Sequence, residues 1–228
     1  MVINAGTFET EVLTLFLANQ KNNQTMKHKS AFSSILFFVC CSNIAFSQAT
    51  PPTREELFKK QESKMIFPLI KGGAMCGVIP VEDITSKPDP NKEVKLIFDF
   101  TQSTSTGNQA NKINEGLEEV ARVLNLHIAA GVKKEKLKAV IVFHSGSILS
   151  VMKNEFYQQK YKATNPNLDI LGQLTAAGVN MVICGQSLAL RDIPHPMVLP
   201  EVKIAYAAKT TLSKYLGEGY VEFPVKAE

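Results

Sequence analysis

From residue 94 onward the chain alternates between short apolar runs and longer stretches in which apolar positions recur every three or four residues. The first pattern belongs to strands buried on both faces, the second to amphipathic helices. Strands are expected at Val94–Phe100 (VKLIFDF), Leu137–Phe143 (LKAVIVF), 179–183 and 202–206, with a short fifth at 220–223 whose direction the pattern does not set. Between the first two, Ala110, Ile113, Leu117, Val120, Ala121, Leu124 and Ile128 keep helical spacing. They predict a helix over 108–130, closed by Gly131. Asn165-Pro166 has the form of a helix start, with Asn as N-cap and Pro in the first turn. Leu168, Leu171 and Leu174 continue that helix toward Gly178. Another helix is expected over 207–216, with Ala208, Leu212 and Tyr215 on one face. The stretch 145–162 reads as looser and partly helical, and 186–191 as a short helical turn broken by Pro194 and Pro196.

Upstream, 54–64 is charged and predicts a short surface helix with Thr53 as N-cap. The glycine-rich stretch 67–77 reads as ordered loop or edge strand, and 86–91 (SKPDPN) as a break. Strand, helix, strand, helix in this order requires crossover connections, hence a mainly parallel sheet with helices on both faces. Asp99 falls inside the first strand and is expected to bond neighbouring backbone.

Composition narrows the function. The chain has 228 residues, 45% hydrophobic and 20% charged, as a packed globular protein does. The net charge is only +4, and no basic stripe is interleaved with aromatics, so nucleic acid is not an expected partner. Trp is absent. Of the four cysteines, Cys40 and Cys41 lie in an early apolar run, Cys76 and Cys184 in the later chain. There is no CxxC and no Cys/His cluster at ligand spacing, so neither a metal nor another cofactor is expected.

The early run has the three-part form of a secretory signal peptide. Met26-Lys27-His28-Lys29 is basic, 31–41 is apolar, and Ala45 and Ser47 suit cleavage before Gln48. The apolar run is about half of the ~20 residues a spanning helix needs, so no stable span is expected in the mature form. Four segments follow: 1–25, read as an upstream mis-start or disordered; 26–47, the signal peptide; 48–92, an N-terminal extension; and 93–228, the α/β domain. The expected location is periplasmic or secreted.

In parallel sheets, chemistry gathers at the carboxyl ends of the strands. Those ends carry Gln102, His144-Ser145-Gly146 and Cys184-Gly185-Gln186-Ser187. Cys184 follows a strand and precedes a helical turn, where backbone N–H groups and the dipole favour the thiolate. It reads either as a reactive thiol or as a buried inert one. Gly185 would let the chain turn tightly beside it. His144 ends another strand and reads as a base, an anion holder, or a satisfied polar residue; Gly146 would permit close approach by a ligand. The turn 102–107, beginning at Gln102, suits an anion but equally suits a solvated loop. Cys76 reads as a disulfide partner of Cys184, a resolving thiol, or incidental.

Several stretches together resemble the DsrE family of sulfur-relay proteins. They are Val142-Phe143-His144-Ser145-Gly146, Asn165-Pro166-Asn167-Leu168, Ala176-Ala177-Gly178-Val179, and Val182-Ile183-Cys184-Gly185-Gln186-Ser187. The resemblance spans about residues 93–224, and 70–90 is similar to the extension of exported members. It implies a three-layer α/β/α domain on a five-stranded sheet, assembly as trimers or hexamers, and a cysteine at the position of Cys184 that accepts sulfane sulfur as a persulfide. The sulfur donor and acceptor are not readable. Two other functions compete: a non-catalytic oligomeric module holding a small ligand or partner segment, and a hydrolase pairing Cys184 with His144.

Overall fold

The structure is a computed structural model that describes residues 51–103 and 110–226. The upstream segment 1–25, the signal peptide 26–47 and positions 104–107 of the 102–107 turn lie outside the described residues. Residues from Pro51 onward form one compact unit.

Helix α1 (Arg54–Glu62) starts where the sequence places it. The Thr53 hydroxyl accepts from the Glu56 N–H at 3.2 Å, and the Glu56 carboxylate accepts from the Thr53 N–H at 2.8 Å, a reciprocal capping box. The 67–77 stretch becomes an ordered loop with one 3-10 turn at Ala74–Cys76, and Ile66 and Val78 at its two ends pair in an antiparallel bridge.

Five strands form a wholly parallel sheet: β1 (Val94–Phe100), β2 (Leu137–Phe143), β3 (Asn180–Cys184), β4 (Lys203–Ala205) and β5 (Val221–Val225). Their spatial order is β4-β3-β2-β1-β5. The fifth strand runs parallel to β1 and tolerates Pro224 because it lies at the sheet edge. The connections carry α2 (Glu115–Ala129), α3 (Asn154–Tyr161), α4 (Leu168–Ala176), α5 (Gly185–Ala189) and α6 (Ala208–Gly217). The order explains the layers. Strands β1 to β4 advance in one direction, so right-handed crossovers put α2 and α4 on one face. The return from β4 to β5 runs the other way and puts α6 on the opposite face. The larger core therefore joins Leu96, Phe98, Ile141 and Ile183 to Leu117 and Leu171, while the smaller one joins Ile97, Val140, Val142 and Val182 to Leu212. The three-layer α/β/α fold expected from the sequence is the fold observed.

Two helix starts differ from the reading above. Of the helix expected over 108–130, positions 108 and 109 lie outside the described residues, and the α-helix begins at Glu115, because the Asn114 side chain turns back to accept from the Gly116 N–H at 2.9 Å and caps it there. The helix expected from Asn165 begins at Leu168. The Asn165 amide instead donates to the carbonyls of Ser150 and Met152, at 2.9 and 2.7 Å, and its oxygen accepts from the Asn167 N–H. A buried asparagine with nearby backbone partners is satisfied without capping. The helix ends are as read: Gly131 and Gly178, one residue past their caps, hold φ of 103° and 86°.

Upstream of the sheet, residues 69–76 are laced to the same face as α2 and α4. Asn125 of α2 is fully buried. Its oxygen accepts from the Leu69 and Ile70 N–H groups, both at 2.9 Å, and its nitrogen donates to the Ile70 and Cys76 carbonyls, both at 2.8 Å. Gln173 of α4 makes the same reciprocal pairing with the Lys71 backbone. Two side-chain amides thus serve the backbone groups that a strand neighbour would otherwise serve.

Candidate functional site

Strand alternation sorts the sequence-predicted residues before any distance is considered. Val140 and Val142 face α6, so His144, two residues further in extended conformation, faces it as well. Val182 faces α6, so Cys184 does too. Phe143 pairs with Ile183, which puts His144 and Cys184 at adjoining register positions on strands about 4.8 Å apart. Asp99, two residues beyond Ile97 on β1, belongs to the same face.

The Asp99 side chain does not bond neighbouring backbone, as the sequence reading expected. Its Oδ1 lies 2.5 Å from Nε2 of His144, with both side chains mostly enclosed. Counting alternate residues across two neighbouring parallel strands would have found this pair. The geometry fixes the ring orientation and commits Nε2 to Asp99. The His144 main chain is equally fixed: its N–H bonds the Phe100 carbonyl at 3.1 Å, and Ser147 Oγ donates to the Phe100 and His144 carbonyls. Ser145 turns the chain away with φ of 57°.

Cys184 is the N-cap residue of α5 and is 5% exposed. Burial pushes its thiol pKa up, but four donors outweigh burial and the net shift is downward. They are the Ser187 hydroxyl and the N–H groups of Ala208, Ser187 and Gln186. These donors face the sulfur without closing a tight capping bond. They come from the first turns of two helices, α5 and α6, so the dipoles of both favour the anion. The Ser187 hydroxyl also accepts from the Ser145 N–H at 3.1 Å, tying the thiol's main side-chain donor to the end of β2.

The glycines have different jobs. A Cβ on Gly185 would stand 2.8 Å from the Ala205 carbonyl oxygen, so glycine is needed where α5 leaves the sheet beside β4. A Cβ on Gly146 would meet Ser103 Oγ at 2.6 Å. The space beside Gly146, read from the sequence as room for a ligand, is therefore filled by the loop after β1. Gln186 is exposed; its N–H also reaches the Tyr206 carbonyl at 3.2 Å. Gln102 is not brought to the thiol. Its N–H bonds the Val225 carbonyl at 3.1 Å, and its own carbonyl accepts from the Asn114 amide at the same distance.

The second cysteine is separated from the first by the sheet. Cys76 is fully buried in the core on the α2 side, whereas Cys184 is on the α6 side. Both are free thiols. Burial, with Glu118 nearby, pushes the Cys76 thiol from 9.0 to about 11. A disulfide with Cys184, or a resolving role toward it, would require the chain to pass through the sheet, so only the incidental reading of Cys76 agrees with the fold. Among the described residues, no group of three His, Cys, Asp or Glu side chains is placed to hold a metal ion, and no helix is long and apolar enough to cross a membrane.

The model of the DsrE/DsrF-like family matches residues 95–223, from the start of β1 into β5. A comparison with curated proteins finds no match. Among solved structures, a protein of unknown function from Methanobacterium thermoautotrophicum, MTH1491, is 14% identical, with a TM-score of 0.42 over 58% of this chain and 99% of that one. The ychN protein from E. coli is also 14% identical, with a TM-score of 0.39 over 59% of this chain and 100% of that one.

Proposed function

This chain belongs to the DsrE/DsrF-like family, and from that membership and the surroundings of Cys184 we propose that it carries sulfane sulfur on this residue as a persulfide. The observation that carries the reading is the set of four donors from two helix N-termini that lowers the pKa of a thiol at the carboxyl edge of the sheet.

The chemistry balances without an external oxidant. The Cys184 thiolate attacks the outer sulfur of a donor persulfide, R–S–SH. A sulfur–sulfur bond forms to Cys184, the bond within the donor breaks, and R–S⁻ leaves with the electron pair. In the return step an acceptor thiolate attacks the outer sulfur on Cys184, and the Cys184 thiolate departs. The anion on Cys184 is present before loading and again after unloading, so the same donors serve both ends of the cycle. His144, oriented by Asp99, stands at the adjoining strand position and can exchange a proton there.

We further propose that the chain is exported, with the mature protein beginning at Gln48, and that it assembles with copies of itself. Support for assembly comes from the edge beside the site. Leu190 and Tyr206 are 84% and 81% exposed, and Ile204 on edge strand β4 is also exposed. Large apolar residues around an unpaired strand edge are commonly covered by a partner.

The test is to incubate the protein with a persulfide donor and weigh it intact. The reading expects a gain of one sulfur atom that is absent in Cys184→Ala and removed by a small thiol. No gain on reduced, folded protein removes the reading. A second reading, a binding module in which Cys184 only packs, is favoured by the 5% exposure and the apolar neighbours Val142, Val182 and Leu212. It expects no gain of sulfur from the donor and unchanged assembly in Cys184→Ser.

A further inference from the structure

A cleft of about 520 Å³ opens where the chain leaves α5, at the end of that helix away from Cys184. Leu149, Phe156 and Ile193 give it an apolar lining, and Lys160, Arg191 and Asp192 line it as well. The volume falls within the roughly 300–1,000 Å³ range of small-molecule sites.

The charges are arranged unevenly. Two cations and one carboxylate leave a local excess of one positive charge. Among the described residues, neither Lys160 nor Arg191 has a carboxylate within ion-pair distance. Arg191 is nevertheless held in place, because its Nη1 donates to the Ser187 carbonyl at 3.3 Å. Its remaining N–H donors keep the fixed fork that suits a carboxylate. The Lys160 ammonium rests 5.6 Å from the centroid of the Tyr161 ring, against the wall of α3. An unneutralised cation pair above an apolar floor selects a ligand with a hydrocarbon or aromatic body and an anionic head. Asp192 in the same lining opposes a doubly charged phosphate and leaves room for a single negative charge.

We propose that this cleft binds a small amphipathic monocarboxylate, with its body against Leu149, Phe156 and Ile193 and its head between Lys160 and Arg191. The inference stands apart from the sulfur reading, since Cys184 does not line the cleft.

The probe is 4-phenylbutyrate, with 4-phenylbutylamine as its cationic counterpart, titrated into protein labelled at the isoleucine and leucine methyl groups and followed by NMR. The acid is expected to shift the Ile193 and Leu149 methyl signals in a saturable manner, and the amine is not. Lys160→Gln with Arg191→Gln should weaken the acid at least about tenfold, the value of one charge-assisted hydrogen bond. Cys184→Ser should bind the acid as the parent does. Equal binding of acid and amine overturns the proposal, as does acid binding that survives the double substitution or an absence of shifts at Ile193 and Leu149 in the parent.

Discussion

Replacing Ala208 by proline removes one of the thiolate's donors while sparing the helix that carries it. Ala208 is the first residue of α6, and its N–H interacts with the Cys184 sulfur. Proline is well tolerated at a first helical position, where the N–H has no partner within the helix. The preceding residue must then be extended, and Ala207 already has φ of −151° and ψ of 153°. A hydrogen bond to a charged group contributes about 1.5–3 kcal/mol, and one pH unit corresponds to about 1.36 kcal/mol. Losing this donor should therefore destabilise the Cys184 thiolate by about that much, and its ionisation midpoint should move to higher pH in Ala208→Pro. The assay is the rate of Cys184 alkylation by iodoacetamide as a function of pH, read by peptide mass spectrometry. Cys76, buried on the other side of the sheet, reports in the same experiment whether the fold is intact, because it should stay unlabelled. Ser187→Ala should move the midpoint in the same direction. A midpoint that stays in place in both folded variants refutes the claim that these donors set the ionisation.

Three further outcomes follow from the packing. Gly185→Ala drives a Cβ to 2.8 Å from the Ala205 carbonyl oxygen, a backbone atom that cannot swing aside, and should cost about 1–3 kcal/mol in chemical denaturation; an unchanged midpoint would show that β4 yields freely. Asn125→Leu leaves two N–H groups and two carbonyls without their partner, at about 1–3 kcal/mol for each unpaired group. The Leu69 and Ile70 amides should then exchange with deuterium much faster than in the parent, and equal exchange rates would count against the lacing role of Asn125. Cys76 gives a pH dependence. Its folded pKa is raised to about 11, so its contribution is complete below the unfolded thiol value and is lost as pH climbs toward 11. Stability should fall over that window by up to roughly 2.7 kcal/mol, two units at about 1.36 kcal/mol each, and the loss should be absent in Cys76→Ala.

The inner strands β1, β2 and β3 were legible because each is a largely apolar run, and the observed limits of β1 and β2 coincide with those runs. Helix ends controlled by glycine were equally legible. Helix starts controlled by asparagine were not. Asn114, Asn165 and Asn167 are all buried, and which of them caps a helix depends on who else is within reach. Asn114 accepts the Asn167 side chain as a neighbour, with its own N–H on the Asn167 oxygen at 2.7 Å, a contact between residues 53 apart. Local spacing contains no such information. The Asp99–His144 pair lay between these cases. Both residues were visible, and their faces could be counted, but the neighbour relation of β1 and β2 had first to be known. Cys184 was placed correctly at a strand-to-helix junction, yet α6 as a second source of donors depends on the return of the chain from β4.

That return also decides which cysteine is available for chemistry. Had the last crossover continued in the direction of the first three, α6 would have joined α2 and α4, and the face bearing Cys184 would have lacked its cover. Because β5 lies beyond β1, α6 crosses under the sheet and begins beside the end of β3. Its first N–H groups then meet a thiol that α5 already flanks. The same helix buries the sulfur among Val142, Val182 and Leu212. Ionisation and concealment thus have one structural origin: the element that lowers the pKa also closes the approach. A thiol whose pKa is lowered but which is only 5% exposed reacts at a rate limited by how often its cover opens as well as by its ionisation. Compared under conditions where both are fully ionised, Cys184 should therefore be alkylated by iodoacetamide more slowly than the same cysteine in a short model peptide, in proportion to the fraction of time its cover is open. A second-order rate equal to the peptide's would place the sulfur in open contact with solvent and would contradict the packing of α6 over β3.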